Sequence, residues 1–229
     1  MRRYIYFVFL LCCAVNLLLT SCVRQKYVVM DMVHHNPGEA MTESKFLDPS
    51  FLKKNEYGAK VFFLFEAAQF GIDWKSFDPS LFPATTEAGR WVAEKAEIIH
   101  KKYDAAKKED LQVYCMLDML VLPSLLVEKH RTELTNEQGK LDISKPYTQL
   151  CIRELMKEMF ETFPQLDGLV IRTGETYLHD APYYVGNHPV QNGMYDHITL
   201  INLLREEVCE RRNKKLFYRT WDMGQLHSI

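Results

Sequence analysis

Residues 166–175 read Leu166-Asp167-Gly168-Leu169-Val170-Ile171-Arg172-Thr173-Gly174-Glu175, an apolar run that opens abruptly onto a guanidinium, a turn and a carboxylate. A strand buried on both faces is almost continuously apolar, and in barrels of such strands the chemistry sits where the carboxyl ends emerge. Arg172 and Glu175 are therefore site candidates: an arginine fork holds an anionic group, and a glutamate gives or takes a proton. Other apolar runs end the same way. Residues 27–33 contain Asp31 and lead into His34 and His35, residues 59–65 lead into Glu66, residues 111–117 into Asp118, and residues 215–222 carry Arg219, Trp221 and Asp222. Any one of these groups reads equally well as a helix cap or a rim salt bridge, but charges are expensive to gather at one end of a sheet unless they are paired or used. Phe70, Trp74, Tyr177, Tyr183, Tyr184 and Trp221 accompany them on loops. Aromatic faces beside fixed charges suit a sugar ring, which is apolar on its C–H face and hydrogen-bonds through its hydroxyls.

The elements that must position these groups alternate. Between the strand candidates lie helical stretches at 49–56, 86–108, 146–163 and 195–212, with apolar residues recurring at helical spacing. Long segments follow the strands and short turns follow the helices. This grammar predicts an α/β fold of the (β/α)8 TIM-barrel type, in which long loops after the strands build the site. A doubly wound sheet is the competing architecture; no glycine-rich phosphate turn follows the first strand, which disfavours its nucleotide-binding form. No cofactor is expected. Closure needs eight strands and typically about 250 residues, so residues 22–229 read as a partial barrel of five βα units, the front part of a longer protein.

Arg2 and Arg3 precede an apolar span over residues 4–19, which fits a secretory signal occupying residues 1–21. Leu19-Thr20-Ser21-Cys22 resembles the bacterial lipobox, which implies cleavage before Cys22, lipidation of that cysteine, and anchoring to a membrane without a spanning helix. Val23 and Arg24 follow, with no acidic residue, and by resemblance to lipoprotein sorting this favours the outer membrane of a bacterial envelope. Cys12 and Cys13 fall in the signal, leaving Cys115, Cys151 and Cys209 inside apolar patterns, where free cysteine behaves as a small buried hydrophobe. No CxxC spacing marks a structural zinc. The net charge of −2 and scattered basic residues leave no footprint for nucleic acid.

Residues 167–175, together with Lys215-Leu216-Phe217-Tyr218-Arg219-Thr220-Trp221-Asp222, resemble the alpha-glucuronidases of glycoside hydrolase family 67. The resemblance implies a (β/α)8 catalytic barrel acting on an acidic, uronic-acid-containing oligosaccharide of plant or microbial polysaccharide. It makes Glu175 the general acid and gives Arg172 and Arg219 to the uronate carboxylate; Glu66, Asp118, Trp221 and Asp222, read from the strand ends themselves, are the further substrate-binding candidates. The family's Ser-Glu-Gly-Gln-Pro-Gly stretch and separate amino-terminal β-domain are not found in this sequence, and its base carboxylates come from later strands. The chain is therefore expected to be inactive alone. Two other readings stay open. One is a metal-dependent barrel hydrolase or isomerase using His34, His35, Glu66, Asp118 and His179. The other is a non-catalytic carbohydrate-binding lipoprotein using Arg172, Arg219 and the loop aromatics.

Overall fold

The computed structural model describes residues 29–31, 44–173, 176, 178 and 180–219. In chain order these form β1 (Met30–Asp31), α1 (Pro49–Lys54), β2 (Ala59–Phe62), α2 (Glu87–Lys108), β3 (Gln112–Asp118) and β4 (Val121–Pro123). There follow α3 (Ser124–Lys129), α4 (Arg131–Leu134), α5 (Pro146–Thr162), β5 (Leu166–Arg172), β6 (Tyr184–Gly186), α6 (Met194–Leu204) and β7 (Lys215–Arg219). The long helices start where the side chains dictate. Thr86 caps α2 by accepting the Gly89 N–H at 3.0 Å, with Glu87 in the first turn and Lys107 and Lys108 in the last. Pro146 opens α5, where its missing N–H costs nothing.

Five strands make one all-parallel sheet in the order β1-β2-β3-β5-β7. Each strand lies beside its predecessor, so the order never reverses, and the switch point of a doubly wound sheet is absent from the described residues. Among those residues β1 and β7 are edges, so the observed architecture is a parallel α/β sheet rather than a closed eight-stranded barrel. The two faces differ. Phe62, Val113, Cys115, Leu117, Leu169 and Ile171 share one core with Val92, Ile99 and Tyr103 of α2, Ile152 and Met156 of α5, and Leu200 and Leu204 of α6. All three long helices thus cover a single face, as crossovers running one way along a parallel sheet require. On the other face Ala59, Val61, Tyr114, Met116 and Val170 pack with Phe63 and Leu64, and the Tyr114 ring meets Phe217 edge-on at 5.4 Å.

One irregularity sets the register between β3 and β5. Val113 opposes Leu166 but Tyr114 opposes Gly168, which leaves Asp167 as an extra residue. Its carboxylate accepts the Val113 N–H at 2.7 Å and pairs with Lys107 of α2, so the bulge satisfies its own backbone. Gly168 then lets β7 approach: a Cβ there would lie 2.1 Å from the Lys215 carbonyl oxygen.

The segment after β3 is built where sequence periodicity gave only loop. β4 pairs antiparallel with β6, and Leu120 and Asn187 extend the pairing by exchanging backbone hydrogen bonds at 3.0 Å. Of the loop aromatics, Phe70, Trp74 and Tyr184 go into the core rather than onto a sugar platform, Tyr183 is half-buried, and Tyr177 and Trp221 lie outside the described residues. Trp74 is 0% exposed, and Phe70 packs edge-on against Tyr184 at 5.0 Å. Cys115 and Cys151 are free and buried, in line with their apolar surroundings.

The tight β5–β7 contact yields a test. Gly168→Ala must push the two strands apart or shift the bulge, and overpacking of this kind costs about 1–3 kcal/mol. Urea denaturation followed by circular dichroism should show the lowered midpoint, and an unchanged midpoint would remove the close approach as a constraint.

Candidate functional site

The carboxyl ends of β3, β5 and β7 bring Asp118, Arg172 and Arg219 into one row: Asp118 opposes Arg172, and Arg172 opposes Arg219. Residues in register on adjacent parallel strands point to the same face. Here it is the face away from the helices, one step beyond the layer of Met116, Val170 and Phe217. Asp118 and Arg172 are each only 4% exposed. The Arg172 Nε donates to Asp118 Oδ1 at 2.5 Å and Nη2 donates to Oδ2 at 2.7 Å. This two-pronged contact uses the planar fork that lysine lacks. The guanidinium also stacks over the Phe63 ring, 4.5 Å from its centroid, so its apolar faces are packed as well as its edge. Arg219 stands next in the row, half-buried at the rim.

Glu66 is not brought to this row, contrary to the expectation from sequence. The chain leaves β2 through a 3-10 turn over Leu64–Glu66, which ends the strand alternation, and the Glu66 carboxylate turns to pair with Lys102 of α2. Its backbone carbonyl accepts from the Tyr103 hydroxyl at 2.9 Å, anchoring the turn to the helix layer. Cys115, one row earlier on the helix side, is no nucleophile. Its sulfur lies 3.2 Å from the Ala68 N–H, and burial pushes the thiol up to about 12.

A second polar cluster sits behind β7, and sequence reasoning did not single it out. Tyr218 precedes Arg219 and so faces the helices, where its hydroxyl lies 2.9 Å from His197 Nδ1 of α6. Burial pushes the Tyr218 hydroxyl well up, partly offset by Thr173 beside it. The same effect holds His197 below the usual imidazole range, partly offset by Asp196. His197 recurs at helical spacing with Leu200 and Leu204 on the apolar side of α6, and that was the signal available in the sequence.

Among the described residues no group of His, Cys, Asp and Glu side chains is arranged to hold a metal ion. Of the metal-ligand candidates, Glu66 pairs with Lys102 and Asp118 with Arg172, while His34, His35 and His179 lie outside the described residues. Glu175, Trp221, Asp222 and the lipidation candidate Cys22 lie outside them too. No described helix is long and apolar enough to cross a membrane.

No protein-family model matches the chain, and no curated protein matches it. Solved structures similar to it include a noncanonic maltogenic alpha-amylase from Thermotoga neapolitana, at 13% identity and a TM-score of 0.44, covering 76% of this chain and 40% of the other. Another is a GH138 enzyme targeting pectin rhamnogalacturonan II, at 16% identity and a TM-score of 0.37, covering 57% of this chain and 14% of the other. The chain spans less than half the length of either structure. Likenesses of this size leave the functional reading to the chain's own residues.

Proposed function

We propose that the chain forms part of a glycoside-hydrolase-like (β/α) barrel that takes uronic-acid-containing oligosaccharides, held on the bacterial outer membrane by lipid on Cys22. The observation that carries this reading is the in-register row Asp118–Arg172–Arg219 at the carboxyl ends of three parallel strands, on the face that none of the described helices covers. Parallel α/β folds place their chemistry at that end.

Within this reading the three charges divide the work. Arg172 is engaged by Asp118 through both prongs of its fork, so it forms the floor of the site and sets its shape. Arg219, at the rim, receives the uronate carboxylate, with Trp221 and Asp222 beside it in sequence. Glu175, three residues beyond Arg172, protonates the glycosidic oxygen while a second carboxylate activates water or forms the glycosyl intermediate. A general acid must keep its proton near neutral pH, and a neighbouring guanidinium works against that. The Asp118 carboxylate neutralises the Arg172 guanidinium and so removes much of the opposition that this arginine would offer.

Three measurements bear on the assignment. Calorimetric titration should show a glucuronate-bearing xylo-oligosaccharide binding at least about tenfold tighter than its neutral counterpart, because a charge-assisted contact contributes about 1.5–3 kcal/mol. Arg219→Met should abolish the preference; equal affinities in the unaltered protein overturn the uronate reading. In a full-length product that completes the barrel, Glu175→Gln should leave binding intact and lower aryl glucuronide hydrolysis about 10²–10⁴-fold, and unchanged hydrolysis eliminates Glu175 as the acid. Asp118→Asn strands a buried guanidinium and should cost about 3–5 kcal/mol of stability in urea, whereas Asp118→Leu combined with Arg172→Met should recover most of it. A mild single variant would mean that Arg172 is not dependent on Asp118.

A further inference from the structure

The turn over residues 187–193 joins β6 to α6 and is held by side chains that accept its backbone N–H groups. The Asp196 carboxylate, 2% exposed, accepts the N–H of Gln191 and of Asn192, each at 2.6 Å. His188 Nδ1 accepts the N–H of Val190 at 2.9 Å. Asn187 ties the start of the turn to Leu141, accepting its N–H at 2.7 Å and donating to its carbonyl at 3.0 Å. The Asn187 amide does not titrate and accepts at any pH. The imidazole does titrate.

A backbone N–H can only donate, so Nδ1 of His188 must present a lone pair, which fixes the neutral tautomer with its proton on Nε2. A second proton would set N–H against N–H and remove the contact. The surroundings offer that charge little. The ring is partly buried, and among the described residues the charged or titratable groups facing it are Lys140 and His197. Around His197 stand Asp196, already shared between two N–H groups, and the Tyr218 hydroxyl; the Nε2 of His197 is buried without a hydrogen-bond partner among the described residues.

We propose that His188 is a proton-operated latch on the turn between β6 and α6. Neutral, it closes the turn on Val190. Protonated, it lets go and frees the first turn of α6, which carries His197 against Tyr218, the residue before Arg219. The device is independent of the glycosidase reading and is tested without any substrate.

Burial holds His188 below the usual imidazole range, and His197 and Lys140 add to that. The unfolded chain therefore takes up the proton first. The latch is fully closed above the ordinary imidazole value of about 6.5 and weakens as pH falls from there through the lower folded value.

Amide hydrogen exchange on the full chain, corrected for intrinsic rates, tests this. Protection at Val190, Gln191 and Asn192 should fall about tenfold between about pH 7.5 and about pH 5, while Cys115 and Leu169 in the central ladder hold theirs. His188→Asn places an amide oxygen near the Nδ1 position and should make protection at the turn independent of pH. Flat protection in the unaltered protein overturns the proposal, as does a variant that loses protection in acid as the parent does. Should His188→Asn fail to fold, nitrogen NMR of the unaltered protein decides. Nδ1 must be unprotonated at about pH 7.5 and gain its proton in step with the loss at Val190; an Nδ1 protonated throughout overturns the latch.

Discussion

Burying a guanidinium and a carboxylate together is tolerable only when each is the other's partner with good geometry, since the desolvation of either alone amounts to several kcal/mol. Asp118 and Arg172 meet that condition, and much of the sheet is arranged to let them. Their two-pronged contact requires β3 and β5 to be in register at their last residues. The strands begin out of step, and the extra residue Asp167 absorbs the difference within the first two pairs. That residue is polar because it must serve the orphaned Val113 N–H, and its charge is matched by Lys107 of α2. The ion pair itself adds little net stability; its value lies in penalising every other register, because a slip of one residue would expose one charge to the apolar face and leave the other unpaired.

The same constraint explains the difference between the sheet's faces. Toward the helices the strands present Phe62, Cys115, Leu169 and Ile171, and the register there is held by apolar packing that many alignments could satisfy. On the opposite face the layers are ordered along the strands: Val61 and Tyr114 beside Gly168, then Met116, Val170 and Phe217, then the charged row. Gly168 belongs to this ordering. With no side chain it lets the Lys215 backbone come close. The apolar layers beneath the row shield it from water on one side, which strengthens the pair's interaction.

How much of this could be read beforehand follows from what each feature depends on. The strands at 59–65, 111–117 and 166–172 and the helices at 86–108 and 146–163 were legible because periodicity, caps and Pro146 are local signals. The strands were found within a few residues, β2 being shorter because the chain breaks into a 3-10 turn after Phe63. Arg172 and Asp118 were legible as charges at strand ends, but that they bind each other depended on a bulge at Asp167 that no local pattern announces. Glu66 followed the same strand-end rule and went the other way, because Lys102 and Tyr103 on α2 draw its turn outward. Phe70, Trp74 and Tyr184 fill the space above the β2 and β3 ends, a consequence of three-dimensional packing among segments far apart in sequence. The β4–β6 pair was invisible for a related reason: three-residue strands carry too little pattern, and their partners lie on either side of α5.

The period of two along a strand links the two polar clusters through the end of β7. Tyr218 and Arg219 are consecutive, so one must face α6 and the other the charged row. The backbone between them is common to both. A change in how α6 seats His197 against Tyr218 therefore shifts the base from which Arg219 projects, with no need for a chain of side-chain contacts between the sites. β5 repeats the arrangement one strand over, with Arg172 in the row and Thr173 beside Tyr218 on the helix side. Arg172 is held to Asp118 by both prongs of its fork. Arg219 stands on the same strand as Tyr218, next to it in the chain, so its base is the one in the row that the seating of α6 reaches most directly.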